Sequence, residues 1–579
     1  MPAHSVINSY SRMPPLKILF CLLFVFLAHG TLAWYQNQPQ SAGPDVPSGK
    51  LRSLSFAPYH AGFSPIAHKF PLPEHIERDA RLIADKTYTI RTYSVRGGMQ
   101  PTPDYARQYG LDMMMGAWLG DGHPENQTEI QTLIEAANRH PDVVKRVIVG
   151  NEVLLRKDMD IDTLIDYIRQ VKQAVKQPVT YADVWSSYMQ YPQLFREVDF
   201  ITIHILPYWE DEPVAIEHAA DHVEKIVRQI EDKARSVGVD KPILIGESGW
   251  PSVGRQRGAA VPSVVNSARY IRDLIQVANR HGFDYNIVEA FNQPWKSHNE
   301  GVVGANWGLL DIDREPVFPL TGPVLENPDW LQQFGWAVAL SLIATGVGFR
   351  ELRRLPLPKL AAYLALSQVF SVCLVNLADL SWETSYSAWQ QAYTLTMVAA
   401  NAMLAGLLLI QVAAAAGNRI VAEPYRKALQ TAYLLFMTLA VVKTYLLAFD
   451  GRYLSFPVEQ FAIPALGIFA LACCRRLGEL VPAADAVAGK HSNRLAFLLG
   501  FGIFGVVAGE TYSFMSAYDF IQAHPSFGEG LPVALGYVLQ NRQLLSWLLC
   551  ILILALPFWP KPRARRQPQI DIRINGEQR

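Results

Sequence analysis

Between Cys21 and Cys373 the chain has no cysteine at all. The five it contains, Cys21, Cys373, Cys473, Cys474 and Cys550, lie in or at the edge of apolar runs. That excludes a disulfide framework and a cysteine-based metal site from the polar stretch between them. Charge of one sign is also missing. Lys+Arg and Asp+Glu number 52 each, so composition shows no footprint of a nucleic-acid partner. No glycine-rich dinucleotide loop follows the first β-like run, which argues against a doubly wound nucleotide-binding sheet. Beyond residue 330 charges become scarce and fall in short clusters between long apolar runs. Up to about residue 325 the charges, Pro, Gly and Trp are spread as in a soluble domain.

The amino terminus carries Arg12 and Lys17, followed by an apolar run from Ile18 to Ala28. This is the layout of an export signal. With His29 to Trp34 the run reaches the lower limit of a spanning helix, so an uncleaved anchor over residues 1–34 is expected. Cleavage near Gly30 or Ala33 is the alternative. Residues 35–50 (YQNQPQSAGPDVPSGK) are polar and rich in Pro and Gly and read as a linker.

From 51 to 325, short β-like runs alternate with helical patterns. The strand candidates are 53–59, 87–93, 111–118, 146–151, 178–184, 198–205, 241–247 and 284–291. Several are continuously apolar, as strands buried on both faces should be. Between them, Ile216, Ala220, Val223, Val227 and Ile230 share one helical face, and Ala268, Ile271, Ile275 and Ala278 share another. This number, order and length of βα units predicts an α/β fold, a (β/α)8 TIM barrel.

Residues 326–579 read as an all-α membrane domain of about seven helices with a basic tail, the apolar segments being 331–349, 359–378, 391–416, 428–449, 457–473, 494–515 and 543–559. Arg350, Arg353 and Arg354 follow the first, Arg419, Arg426 and Lys427 the third, Arg475, Arg476 and Lys490 the fifth, and Lys561, Arg563, Arg565 and Arg566 the seventh. The connections around 380–390, 450–456 and 516–541 hold only Arg452. By the positive-inside rule the barrel lies outside and both termini lie in the cytoplasm, with eight spans when the amino-terminal helix is counted. Lys443 and Glu510 sit at similar depth in two of these segments, and an ion pair between them is expected.

Chemistry on such a barrel is carried at the carboxyl ends of its strands. The fourth candidate strand ends in Gly150-Asn151-Glu152 and the seventh in Gly246-Glu247-Ser248-Gly249-Trp250. Two carboxylates facing each other across a barrel mouth are what glycosidic cleavage needs. One protonates the leaving oxygen and the other attacks the anomeric carbon. A separation of about 5–5.5 Å gives retention. Either Glu alone could be a surface charge, but the two together are far more specific. Glu152 has to be protonated, which burial or the negative Glu247 would favour, and Glu247 has to stay ionised, which donors from Tyr208 or Lys296 would favour.

The segments GNEVLLR (150–156), HILPYWE (204–210), IGESGWPS (245–252) and EAFNQPWK (289–296) resemble family 17 of the glycoside hydrolases, which comprises β-1,3-glucanases and glucanosyltransferases. More narrowly the chain resembles bacterial membrane-bound members that remodel β-1,3-glucan and build β-1,6 linkages. The resemblance covers residues 52–325, and in the narrower case the membrane half too. It implies Glu152 as acid/base, Glu247 as nucleophile, Asn151 as a contact to the sugar 2-hydroxyl, Tyr208 as a residue helping to orient the nucleophile, and Glu289 and Lys296 as polar groups at the eighth strand. Gln293 is a departure, because many plant members have a Glu there.

Tyr59, Arg91 and Tyr93, near the ends of the first two strands, are further candidates for substrate contact. So is His204. Trp118, Trp185, Trp209, Trp250, Trp295 and Trp307 fall mostly at or after strand ends, and flat sugar faces stack on such rings. Trp250 and Trp295 are the expected platforms. His60 and His204 lack the neighbours of a metal site, so no metal and no cofactor is expected. The D-x-D pattern at 158–162 precedes a helix and suits its amino terminus. Asn126-Gln127-Thr128 is a glycosylation sequon, uninformative if the source is bacterial.

These readings predict a retaining β-glucan glucanosyltransferase in a bacterial inner membrane, multi-pass, with its barrel facing the periplasm. Its partners would be β-glucan donor and acceptor, the lipid bilayer and glucan synthesis or export machinery, with no nucleic acid. A β-1,3-glucan hydrolase is the alternative. An inert glucan-binding or export module is the third reading.

Overall fold

The computed structural model describes residues 16–477 and 491–559. Its strands are β1 (Leu51–Ser55), β2 (Thr87–Arg91), β3 (Asp112–Ala117), β4 (Val144–Asn151), β5 (Val179–Val184), β6 (Ile201–His204), β7 (Ile243–Ser248) and β8 (Asp284–Ile287). They close in sequential order into an all-parallel eight-stranded barrel, β8 pairing with β1 through Leu54 and Ile287. The β1 run read from the sequence overshoots because Pro58 has no N–H to give a ladder. Residues 56–59 and 288–291 run on beyond the strand ends, with Phe56, Ala290 and Phe291 buried in the core and Val288 lining the cleft.

A small apolar cluster of Met114, Ile148, Ala182, Phe200 and Leu244 fills the barrel interior. Beside it Thr180 Oγ1 donates to Thr202 Oγ1 at 3.0 Å, so these buried hydroxyls are satisfied within the barrel. The outer face of each strand packs against helices. Ile216–Ser236 buries Ala219, Val223, Val227 and Ile230, and Val264–His281 buries Ala268, Ile271, Ile275 and Ala278. Residues 37–50 are strapped to the barrel: Gln40 and Val324 exchange backbone hydrogen bonds at 2.8 and 2.9 Å, and Ala42 and Val46 are buried. The chain therefore enters and leaves the barrel at one edge.

Among the described residues six helices are long and apolar enough to cross a membrane: Leu16–Gln36, Trp330–Leu352, Leu357–Glu383, Ala388–Ala416, Glu423–Asp450 and Ser492–Met515. Phe527–Gln540 and Arg542–Phe558 form a pair bent by 75°, which makes seven if that pair is one span. Val458–Leu477, interrupted by Pro464, has a shorter apolar stretch. The stretch 516–541, read as a plain connection, in fact holds helices Tyr518–Ala523 and Phe527–Gln540. Tyr518–Ala523, with 6 residues, is too short to give a periodic signal of its own.

The bundle has two unlike ends. At one, Lys17 Nζ donates to the Leu355 carbonyl at 2.7 Å, Lys359 Nζ donates to the Ala416 carbonyl at 2.9 Å, and Arg419 pairs with Glu351. The basic connections after the first and third carboxy-terminal segments thus share one end. At the other, Asn306 of the barrel donates to the Tyr386 hydroxyl at 2.8 Å, and the 451–456 and 516–541 connections meet the barrel. Arg12, Lys490, Lys561, Arg563, Arg565 and Arg566, and the side chains of Arg475 and Arg476, lie outside the described residues.

The expected Lys443–Glu510 pair does not form. Glu510 pairs with Arg255 of the barrel, and the Lys443 ammonium lies 5.1 Å from the Tyr393 ring centre. Similar depth in two helices left the partner undetermined, and a guanidinium from the barrel mouth takes the carboxylate instead.

Candidate active site

The end of β4 is shaped by two left-handed residues. Gly150 has φ 84°, and Glu152 has φ 52° and ψ 31°. For a glutamate this backbone is strained by about 1–2 kcal/mol. The surroundings hold it there: Glu152 N–H donates to the Ala182 carbonyl at 2.8 Å, and the Glu152 carbonyl accepts from Arg156 N–H at 2.9 Å. The Arg156 guanidinium also donates to the Asn151 carbonyl. The turn aims the Glu152 side chain across the mouth toward β7. There Glu247 follows Gly246, where a Cβ would lie 2.6 Å from Thr202 Cγ2, so a larger residue would displace the β6 contact.

One ligand-type atom each from Glu152, His204 and Glu247 all lie within 4.8 Å of one another. His204, fully buried, bridges the carboxylates: Nδ1 is 2.9 Å from Glu152 Oε1, and Nε2 is 3.7 Å from Glu247 Oε1. Arg91 Nη1 donates to Glu247 Oε1 at 3.1 Å and to the Gly246 carbonyl at 2.6 Å, while its Nη2 donates to Asn151 Oδ1 at 2.5 Å. Asn151 and Glu247 are therefore fixed by one guanidinium. The trio meets the distances of a metal-ligand set, but Arg91 already supplies the cation on Glu247.

Burial works against a charge on Glu247. The His204, Arg91 and Lys296 charges and a hydrogen bond from Tyr93 more than offset it, and its pKa falls below the ordinary glutamate value. Tyr93 is pushed up, first by burial and then by the Glu247 charge, so it stays a protonated donor. Glu289, 2.8 Å from Lys296 Nζ, is pushed up to about 7 by burial, with Lys296 opposing. Burial disfavours the Lys296 ammonium too, but Glu289, Glu300 and Glu247 hold its pKa above the ordinary lysine value. Glu300 is raised by burial against the pull of Lys296, with Glu152 and Glu247 adding to the rise.

Of the residues picked out from the sequence, Glu152, Glu247, His204, Arg91, Asn151, Tyr93, Glu289 and Lys296 converge on this one network. Four others lie off it or at its edge. Tyr208 is buried and its hydroxyl donates to the Arg255 carbonyl, so it orients a loop and not Glu247. Trp250 is wholly buried, its Nε1 donating to the Val261 carbonyl at 2.9 Å. It is core and not a sugar platform. Tyr59 and Trp295 pack edge to face on each other, 5.9 Å apart, and Trp295 reaches the edge of the network, where the Lys296 ammonium lies 5.8 Å from its ring centre. Gln293 is also buried, donating to the Ala57 carbonyl at 2.7 Å and accepting from Trp295 at 2.7 Å. His60 lies 3.2 Å from Asp79, which Arg314 also binds. In the D-x-D stretch Asp160 caps a helix, accepting from Thr163 N–H at 2.9 Å. The sequon's Asn126 is buried, bonded to Gly120.

The carboxylates open into a cleft of about 720 Å³. Trp185, Trp209 and Trp307 line it, and so do Glu210, Glu300 and Lys157. Trp185 and Trp209 were legible only as two of six strand-end tryptophans. The cleft is walled on one side by Arg452, Tyr453, Ala517, Tyr518 and Asp519 of the membrane half, a contribution that no motif signalled.

Residues 53–308 match the BtgE/BtgC glycoside hydrolase domain. Over that stretch the barrel is similar to this glycoside hydrolase family. The chain is 27% identical over 258 residues to a glucan 1,3-beta-glucosidase of Arthroderma benhamiae, an alignment covering 42% of this chain and 82% of that one. It is 24% identical over 306 residues to a probable glucan endo-1,3-beta-glucosidase btgC of Aspergillus flavus, covering 48% and 43%. A solved structure of an active-site mutant of the Rhizomucor miehei beta-1,3-glucanosyltransferase with laminaritriose is 28% identical, covering 47% of this chain and 96% of that one with a TM-score of 0.41. The BtgE/BtgC match includes the four motifs that carry the family 17 resemblance, and it ends before the membrane half begins.

Proposed function

We propose that this chain is a retaining β-glucan glucanosyltransferase that remodels β-1,3-glucan at a membrane. The observation that carries the reading is the Glu152–His204–Glu247 cluster, in which the carboxylates come within 4.8 Å and Glu247 is held ionised. So close a pair leaves no room for a water between nucleophile and sugar, which favours direct attack and retention. Glu247 attacks the anomeric carbon as the bond to the leaving sugar breaks, and Glu152 gives its proton to the leaving oxygen. Glu152 then takes a proton from an acceptor hydroxyl, which displaces Glu247 with a second inversion.

Transfer is favoured over hydrolysis because the mouth opens into a lined cleft, partly walled by the membrane half, where an acceptor sugar competes with water. The relatives named as glucosidases favour the hydrolytic reading. The placement of the basic connections away from the barrel supports a barrel outside the membrane and basic loops inside, in keeping with a bacterial inner membrane and a periplasmic barrel. The full chain in detergent, incubated with laminari-oligosaccharides, decides between transfer and hydrolysis by chromatography and linkage-sensitive NMR. Products longer than the substrate are expected, and new β-1,6 signals would set the linkage. Only shorter products would sink the transferase reading.

A further inference from the structure

The cleft does not belong to the barrel alone. Its wall includes Arg452 and Tyr453, just after the helix ending at Asp450, and Tyr518 and Asp519, just after the helix ending at Met515. These segments are fastened to the barrel on its substrate side. Asp519 N–H donates to Asp211 Oδ2 at 2.8 Å, the Tyr453 ring meets Trp209 edge to face at 5.8 Å, and Arg255 donates to the Leu454 carbonyl at 2.7 Å. Tyr453 and Tyr518 nevertheless keep 40% and 55% of their surface exposed, so each still has ring surface to offer.

Arg452 is the informative group. It forms no ion pair and no hydrogen bond among the described residues, and its Nε is buried without a partner. Acids line the same cleft at Glu210, Asp211 and Asp519, yet Arg452 pairs with none of them. A guanidinium without a hydrogen-bond partner, 5.9 Å from the Tyr453 ring centre and in the same cleft wall as Tyr518, is the chemistry that binds a neutral sugar. The rings take the apolar faces and the fork of N–H groups takes ring hydroxyls.

We propose that Arg452, Tyr453 and Tyr518 form a sugar subsite, so that the membrane half binds a glucan residue beyond the one attached to Glu247. The proposal rests on the β-glucan reading of the cleft. The membrane half is then a part of the substrate site as well as an anchor, and it selects for chain length.

The test uses the full chain in detergent with Glu247→Gln, which blocks turnover, and titrates it calorimetrically with laminari-oligosaccharides of increasing length. Arg452→Gln, Tyr453→Ala and Tyr518→Ala are added singly, with Tyr453→Phe as a ring-preserving variant. The control is Glu212→Gln, which removes the Tyr537 and His524 contacts at the same interface without touching the cleft wall. Each of the three alanine or glutamine changes is expected to weaken the longer oligosaccharides about tenfold, leaving the disaccharide, Tyr453→Phe and Glu212→Gln close to the parent. If the parent binds but the variants match it at every length, or if Glu212→Gln loses as much, the subsite is overturned and the β-glucan reading stands. If the parent binds no laminari-oligosaccharide, the β-glucan reading falls and the subsite with it.

Discussion

Arg255 in the loop after β7 and Glu510 in a membrane-half helix form an ion pair that is almost wholly buried. The same loop is held by Gln256, whose N–H donates to Gln543 at 2.8 Å and whose carbonyl accepts from Asn541 at 2.8 Å. The loop that carries on from Glu247 is therefore clamped to the helices below it. Removing one partner of a buried pair leaves a charge without compensation and costs about 3–5 kcal/mol. Glu510→Gln and Arg255→Met are each expected to lower the melting temperature in detergent and to expose the interface to limited proteolysis. The double change Arg255→Met with Glu510→Met should recover much of the loss. Full stability in both single variants would show that the pair is not what holds the two halves together.

Glu152 and Glu247 are separable by leaving group. Glu247→Gln removes the proposed nucleophile and should abolish turnover of every substrate, by at least about 10³-fold. Glu152→Gln removes only proton donation, so a β-glucoside with a good leaving group should still form the glycosyl-enzyme. It should then stall, because no base activates the acceptor. A burst of released aglycone followed by slow turnover, with a glucosyl adduct on Glu247 by mass spectrometry, is the expected signature. Equal loss on good and poor leaving groups in Glu152→Gln would remove Glu152 as the acid.

How much of this was legible follows from what each feature depends on. The barrel was readable because buried parallel strands are continuous apolar runs and the helices between them keep a clear face, as Ala268, Ile271, Ile275 and Ala278 do. Glu152 and Glu247 were readable because strand ends mark the mouth. Direction was not. Trp250 comes just after the end of β7, close to Glu247, yet it turns into the core, with Ser267 donating to its carbonyl and Tyr270 packed at 5.7 Å. Tyr208 is lost to its own loop for the same reason. The Arg255–Glu510 pair and the Arg452–Tyr453 wall depend on docking between segments some 200 residues apart or more, and local pattern carries no signal of that.

His204 is expected to set the acid limit of the proposed reaction. Apart from burial, which opposes it, His204 is the largest influence holding Glu247 below its ordinary pKa, ahead of Arg91 and Lys296. A depressed nucleophile stays ionised to lower pH, so the acid limb of kcat/KM should lie below the ordinary glutamate value. His204→Asn keeps a polar side chain and loses the imidazole charge. Its acid limb should move to higher pH while the protein stays folded by circular dichroism. A limb that does not move would leave His204 as a spacer between the carboxylates.

Glu289 gives the opposite sign for stability. Its carboxyl is pushed from 4.5 up to about 7 in the folded protein, so between those values the folded state holds a proton that the unfolded state has released. Stability from this group is then fully present below about pH 4.5 and falls as pH rises through 7. The gap corresponds to on the order of 3 kcal/mol, with the opposing pull of Lys296 already contained in it. Lys296 itself, raised above 10.5, keeps its charge across this window and adds no slope there. Thermal melts of the wild-type chain should therefore drop between pH 5 and pH 8, and Glu289→Gln, which cannot ionise, should flatten that drop. An unchanged slope in Glu289→Gln would mean that another group, with Glu300 next in line because its carboxyl is also raised, controls the loss.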